Sequence, residues 1–153
     1  MKNYIFFFLI CTATLLTSAQ DVVQTRVYSY RSLTFIDKNY ETIGTQNSQN
    51  VIGIIAFSEA FGRDYITVTV GEDVAFNGEV KSQKTNPIAN NEKTVVYLFS
   101  TEFQGYQVPL QLFETYDLSE SSIVPSYYLL TIHNRQTGEY VQGQVFKGIS
   151  RIK

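Results

Sequence analysis

The chain has 153 residues, with 12 basic and 14 acidic side chains and a formal net charge of −2 at pH 7. This balance does not favour nucleic acid or an anionic membrane surface as a partner, because both select for clustered Lys and Arg. The chain contains 11 Tyr and 11 Phe but no Trp. Aromatic residues favour strands, so the composition predicts an all-β protein, and the length suits one domain.

The first residues have the pattern of a secretory signal peptide. Lys2 is followed by an apolar run over residues 4–16 and by the small residues 17–19. A transmembrane anchor is the alternative, but it needs about 20 apolar residues and this run is shorter. We therefore expect cleavage after Ala19, no membrane insertion after cleavage, and a single secreted or periplasmic domain over residues 20–153.

The predicted cleavage also removes Cys11, the only cysteine of the chain. The exported domain is therefore expected to contain neither a disulfide nor a thiolate metal site, although it would enter an oxidising space. His133 is the only histidine, so a histidine-rich metal site is excluded by count. No cofactor or metal ion is expected.

The clearest hairpin signal lies in residues 127–146. Residues alternate between apolar and polar on both sides of a turn that ends at Gly138, a residue suited to a left-handed position. We predict a register in which Ile132 faces Val141 and His133 pairs with Tyr140 on the opposite face. The core residues predicted for this hairpin are Tyr128, Leu130, Ile132, Val141 and Val145.

The first half of the chain predicts four further strands. The first is long, covers residues 22–36, and is expected to bend between Ser29 and Ser32. A weak strand over residues 40–43 is followed by a polar loop over residues 44–50. The continuous apolar run over residues 51–57 predicts a buried strand, and the alternation over residues 65–70 predicts the next one.

Two turn signals compete after this last strand. Gly71-Glu72-Asp73 and Asn77-Gly78 could each reverse the chain. We favour the first, because it leaves a following strand that is long enough to pair, with a bulge at Asn77-Gly78. Two more strands are predicted over residues 94–100 and 106–115.

The pattern predicts eight to nine short antiparallel strands without a helix or an internal repeat. We expect a single up-and-down barrel, with a two-sheet sandwich as the alternative. In architecture this succession of hairpins resembles the calycins, the small exported barrels that include lipocalins. The Gly-x-Trp signature of lipocalins is absent, so the resemblance assigns no site residue.

The sequence carries no assembled catalytic motif. His133 has no Gly-x-Ser-x-Gly nucleophile to serve, and the pattern favours a cross-strand partner of Tyr140 over a general base. Glu72, Asp73 and Glu79 could supply a carboxylate pair for a hydrolase. Acidic residues are also common in turns, however, and we prefer to interpret these three as ordinary turn and surface residues.

Arg26, Tyr28 and Tyr30 share one face of the first strand. An Arg beside two Tyr can hold an anionic or planar ligand, although a solvated face with amphipathic tyrosines has the same pattern. We predict an exported, non-catalytic binding barrel for a small apolar or amphipathic ligand. Its predicted ligand-binding residues are Arg26, Tyr28, Tyr30, Tyr97, Phe99 and Tyr128. The alternatives are a surface or envelope module that binds a partner protein or a glycan and, more remotely, a carboxylate-dependent hydrolase.

Overall fold

Residues 22–153, which a computed structural model describes, form one antiparallel β-sheet, as the alternating patterns predict. The predicted signal peptide lies outside these residues. Within them, no helix is long and apolar enough to cross a lipid bilayer. In chain order the strands are β1 (Val22–Tyr30), β2 (Ser32–Ile36), β3 (Thr42–Asn47), β4 (Gly53–Ala60), β5 (Arg63–Val70), β6 (Asp73–Thr85), β7 (Glu92–Phe103), β8 (Tyr106–Asp117), β9 (Tyr127–His133), β10 (Tyr140–Lys147) and β11 (Ser150–Arg151).

The strand order is linear, β11-β1-β4-β5-β6-β7-β8-β9-β10-β2-β3. β11 and β3 lie at its two ends, so the predicted closure into a barrel is not confirmed by this order. The count of 11 strands exceeds the expected eight to nine. One extra strand arises because Arg31 interrupts the long first strand, at the predicted bend, and another because the basic tail contributes β11.

The region after β2 differs from the prediction. β3 covers Thr42–Asn47, most of which was predicted to be loop, and Tyr40 lies in the preceding turn with a positive φ of 64°. Thr45 of β3 pairs with Thr34 of β2. A polar strand has no apolar period of two, so its extended conformation follows from pairing with β2 rather than from its own pattern.

The turn between β5 and β6 falls at Gly71-Glu72, as preferred from the sequence. The bulge predicted at Asn77-Gly78 is wrong, because both residues pair in regular register with β5. Gly78 is required for another reason. A Cβ at this position would overlap the backbone carbonyl oxygen of Ser100 on β7, so only glycine permits this close approach.

The β9-β10 hairpin forms with His133 opposite Tyr140, as predicted, but its register then shifts by one residue. Val141 lies at this bulge and is 44% exposed. Leu130 consequently pairs with Gln144 rather than with Gly143. The predicted register is therefore wrong beyond Tyr140, because one inserted residue reverses the face to which the following side chains point.

The bulge also changes which hairpin residues enter the core. Tyr128 and Leu130 are fully buried as predicted, whereas Ile132 and Val145 are only half-buried. Phe146, which was not predicted, is fully buried and packs its ring against Tyr30. The core is thus continued along β10 by the residue after Val145.

β8 and β9 show how the core reaches the candidate site. Leu112 on β8 lies opposite Leu130 on β9, and both are fully buried. Two residues further along each strand, Glu114 lies opposite Tyr128, and both are again at most 1% exposed. An acidic side chain therefore occupies a position that the alternation of β8 assigns to the core.

Candidate functional site

The buried carboxylate of Glu114 is held by three side chains, one each from β1, β7 and β9. Its Oε1 accepts hydrogen bonds from Arg26 Nη1 and from the Tyr128 hydroxyl, each at 2.8 Å. Its Oε2 accepts one from the Tyr97 hydroxyl at 2.7 Å. A carboxylate that is 1% exposed is costly unless it is paired and hydrogen-bonded, and these three donors meet that requirement.

Arg26 approaches Glu114 from a distant strand. β1 and β8 are not neighbours in the sheet, so the ion pair crosses the interior rather than running along one face. Arg26 Nη2 also donates to the Tyr97 hydroxyl at 2.8 Å, and its guanidinium lies 4.1 Å from the ring centroid of Phe57. Phe57 in turn packs against Tyr97 with ring centroids 5.2 Å apart.

The charges of the cluster reinforce each other. Burial by itself would lower the pKa of Arg26, but the Glu114 carboxylate and the contact with Tyr97 raise it overall, so Arg26 stays charged. Burial, followed by the charge of Glu114, raises the pKa of Tyr97 and of Tyr128 above the ordinary tyrosine value. Both hydroxyls therefore remain protonated donors at neutral pH.

Two cavities share Arg26 and Tyr97 among the residues that line them. The larger has a volume of about 470 Å³ and runs from Glu114 and Tyr116 to the β8-β9 connection at Glu120. The smaller has a volume of about 90 Å³ and is also lined by Phe57. The larger volume lies in the range of small-molecule sites, although most of the side chains that line it are polar or charged.

Exposure increases from the floor of the larger cavity to its mouth. Tyr97 and Glu114 are buried at the floor, whereas the Arg26 side chain is 29% exposed. Lys93 and Glu120 are exposed at the mouth. The floor therefore presents partly accessible guanidinium donors, and the mouth carries charges of both signs.

Of the six predicted ligand-binding residues, Arg26 and Tyr97 line both cavities. The structure places the other four in the packed interior, where each is at most 3% exposed; they are Tyr28, Tyr30, Phe99 and Tyr128. Tyr128 still contributes to the cluster through its bond to Glu114, and Tyr28 through its ring contact with Tyr128 at 5.8 Å. Tyr30 instead donates to the backbone carbonyl of Thr69.

Glu114 is the main residue that the sequence analysis missed. Leu110, Leu112 and Glu114 continue one period of two, so a signal was present: a single acid at an inward position of an otherwise apolar face. Lys93 and Tyr116 were also missed. They lie opposite each other on β7 and β8, and only the three-dimensional structure brings this pair to the mouth of the cavity.

The carboxylates considered for a hydrolase lie elsewhere. Glu72 and Asp73 are exposed at the β5-β6 turn. Glu79 forms ion pairs with Arg63 at 3.2 Å and with Lys81 at 3.1 Å, which lower its pKa through Lys81 first and Arg63 second. Among residues 22–153, no three His, Cys, Asp or Glu side chains are grouped so that they could hold a metal ion.

His133 lies in the local environment predicted for a cross-strand pair. Its ring meets that of Tyr140 edge to face, with centroids 6.2 Å apart. Its Nδ1 lies 3.1 Å from the Gly138 carbonyl oxygen, and its Nε2 lies 2.9 Å from the Thr131 hydroxyl. The carbonyl contact indicates that Nδ1 carries the proton.

Two pairs of aromatic side chains lie at the surface. Tyr40, 67% exposed, stacks on Tyr140 with ring centroids 4.6 Å apart and an interplanar angle of 7°. Phe103 and Tyr106 lie opposite each other at the β7-β8 turn and are 63% and 60% exposed. Arg135 covers the ring of Tyr106 at 5.7 Å.

Comparison with known proteins finds no counterpart. No protein family matches the chain, and neither a curated protein nor a solved structure is significantly similar to it. The function is therefore inferred from the geometry of the site.

Proposed function

We propose that this chain is an exported, non-catalytic binding protein that holds a small amphipathic ligand in the cavity beside Arg26. The observation that carries the proposal is that Arg26 lines two cavities while it is fixed by a fully buried carboxylate. Of the five N–H donors of a guanidinium, the described residues use one for Glu114 and one for Tyr97. The remaining donors are available to an acceptor group of a ligand.

The walls favour an amphipathic ligand over a wholly apolar one. Val95 and the ring of Tyr116 supply apolar surface, while Arg26 and Lys93 supply donors. Fixing Arg26 through Glu114 removes most of the side-chain entropy that a ligand would otherwise have to restrict. A polar head group would bind at Arg26, and an apolar portion would lie towards Val95.

We also propose that the sheet curls into a barrel with this cavity at one end. β1 and β2 are separated only by Arg31, and they pair with β4 and β3 on one side. On the other side they pair with β11 and β10, which are themselves close in the chain. These pairings, together with an ion pair that crosses the interior from β1 to β8, support a closed wall around the core.

The ligand proposal can be tested with an anionic aromatic probe, 1-anilinonaphthalene-8-sulfonate, added to the full chain produced with its N-terminus free to be processed. We expect saturable fluorescence that is weakened several-fold by Lys93→Gln, because this lysine lines the cavity without holding Glu114. Lys84→Gln is the matched control, since Lys84 is exposed on β6. Equal binding by the two variants, or no saturable binding by the parent chain, would refute the proposed site.

Native mass spectrometry of the protein recovered from its producing cells should show a retained small molecule. The same spectrum tests export, because a mass that lacks residues 1–19 is expected after signal cleavage. The binding function would be refuted if the protein, recovered without denaturation, carried no bound mass and also failed to bind the probe. Retention of residues 1–19 would contradict only the proposal of a secreted or periplasmic location.

A surface interaction module is the second candidate, and the exposed rings of Tyr40, Phe103 and Tyr106 favour it. Tyr and Phe side chains at a surface provide rigid contact area for a partner protein or for the apolar face of a sugar ring. The Phe103-Tyr106 pair is the better candidate, because Arg135 adds a donor beside it. Surface plasmon resonance with soluble oligosaccharides should give a signal that Tyr106→Ala abolishes and Tyr40→Ala leaves unchanged.

A further inference from the structure

The exposed strand β3 lacks the features that usually protect the edge of a sheet. Its partner among the described residues is β2, and its other side is the end of the strand order. Every residue of β3 except Gly44 is exposed. Edge strands usually avoid association through Lys, Pro or a very short length, yet residues 42–58 contain no charged residue and no proline.

By contrast, the other end of the sheet has features that protect it from strand addition. β11 has only two residues, Ser150 and Arg151, and the tail around it is basic, with Lys147 and Lys153. A short, positively charged edge resists strand addition, because a second copy would bring like charges together. The contrast points to β3 as the edge at which a strand can be added.

We propose that β3 pairs with β3 of a second copy of this chain, joining two sheets across a twofold axis. Antiparallel pairing of one strand with itself is the isologous arrangement that a twofold dimer requires. Because no residue of β3 is charged, the antiparallel register that places Thr42 opposite Asn47 brings only uncharged side chains of the two strands into opposition. The same lack of charge means that β3 has no electrostatic means of selecting a foreign strand.

The side chains of β3 suit such a contact. Thr42, Thr45, Gln46 and Asn47 carry groups that both donate and accept hydrogen bonds, so each can take either role toward a polar side chain of the second copy. Ile43 is 65% exposed and supplies apolar area on the same strand. A six-residue strand makes a small interface, so the dimer should be weak and depend on concentration. No residue of β3 lines either of the two cavities at Arg26.

Sedimentation velocity of the full chain over a wide concentration range tests the proposal. We expect a monomer–dimer equilibrium whose dissociation constant rises at least about tenfold in Gln46→Lys, which corresponds to about 1.4 kcal/mol. The matched control is Gln142→Lys, an identical change at an exposed position on β10, which is paired on both sides. This control should dimerise like the parent chain.

Three results would overturn the proposal: a monomer at all concentrations, a dimer unaffected by Gln46→Lys, or equal weakening by Gln142→Lys. Ile43→Lys provides a second edge variant if Gln46→Lys loses its circular dichroism signal. High salt should partly restore the dimer of a folded lysine variant, because the introduced charges repel each other at the interface. Weakening without salt recovery would indicate altered folding of β3 and would also count against the proposed pairing.

Discussion

Residues 22–153 contain two arginine–glutamate ion pairs whose surroundings differ greatly. Arg26 and Glu114 join β1 to β8 across the interior, and the carboxylate is 1% exposed. Arg63 and Glu79 join the neighbouring strands β5 and β6 at the surface, where the side chains are 62% and 27% exposed. The first pair constrains the core and forms the floor of a cavity, whereas water can replace most of the second.

The comparison shows that the contact distance says little about how much an ion pair contributes to the free energy of unfolding. The Arg26–Glu114 and Arg63–Glu79 distances differ by only a few tenths of an ångström, 2.8 against 3.2 Å. The difference lies in what remains when one partner is removed. Glu79 would keep Lys81 and solvent, whereas the hydrogen bonds left to Glu114 among residues 22–153 would come from neutral hydroxyls such as those of Tyr97 and Tyr128.

The largest effect is expected next to the buried pair, at Leu130 in the layer adjacent to Glu114 and Tyr128. Leu130→Glu should cost about 4 kcal/mol or more and unfold the protein, because it adds a buried charge without a partner. Val141→Glu is the matched control in the same hairpin, because Val141 is exposed at the bulge. A folded Leu130→Glu in urea denaturation would contradict the assigned core.

The second effect separates the two ion pairs directly. Arg26→Met should lower the free energy of unfolding by about 3–5 kcal/mol, because Glu114 loses the charge that compensates it. Adding Glu114→Gln to that variant should restore part of the loss. Urea unfolding monitored by tyrosine fluorescence would measure both, and a small loss in Arg26→Met would show that the pair is solvated.

The third effect concerns alkaline pH. The pKa of Tyr97 and of Tyr128 is higher in the folded protein than the unfolded value of about 10, so the folded state holds these protons longer. Their contribution is fully present below pH ~10 and is lost as the pH rises further. Each tyrosine should add up to about 1.4 kcal/mol per pH unit to this loss.

The check is the slope of unfolding free energy against pH above ~10, measured in Tyr128→Phe and in the parent chain. The variant should have the smaller slope. Tyr106→Phe is the control, because Tyr106 is 60% exposed. Equal slopes in the three proteins would mean that the buried hydroxyls ionise as freely as exposed ones.

The surface pair should respond weakly. Arg63→Met, the same change as in Arg26→Met, is expected to leave the free energy of unfolding nearly unchanged, because Glu79 retains Lys81. Salt should have little further influence on the variant. A loss as large as that of Arg26→Met in the same urea assay would remove the distinction between the two pairs.

The smallest effect is expected at His133, a half-buried side chain that forms no ion pair with any acid in the part of the chain that the structure describes. His133→Ala should cost about 0.2–1 kcal/mol, the range of a cross-strand pair, since it removes the ring contact with Tyr140. Thermal unfolding is sufficient to measure this. Loss of probe binding in the same variant would place His133 in a functional role that its hydrogen bonds do not indicate.

Much of the fold was predictable because it follows from local patterns. The alternation in β5 and β9 and the turns at Gly71 and Gly138 depend on neighbouring residues alone, so the sequence identifies them. The bulge at Val141 and the pairing of β3 with β2 depend on distant strands. Neither produces a signal within its own segment.

The candidate site was only half predictable for the same reason. Arg26 and Tyr97 stand out as an arginine and an aromatic residue on alternating strands, and both line the cavities. The role of Glu114 could be suspected from its inward position on β8. Its partners could not, because Arg26 is 88 residues away in the chain and Tyr97 is 17.

The sequence by itself determined that residues 22–153 form antiparallel strands, and it determined which faces of β5, β8 and β9 are apolar, because period-two alternation is a property of the chain. Only the tertiary structure decided that Arg26 and Glu114 meet, that Tyr128 is a buried donor beside them, and that β3 is left as an uncharged edge. These features require strands that are far apart in the chain to meet, and a contact across the interior leaves no trace in the local pattern of either strand.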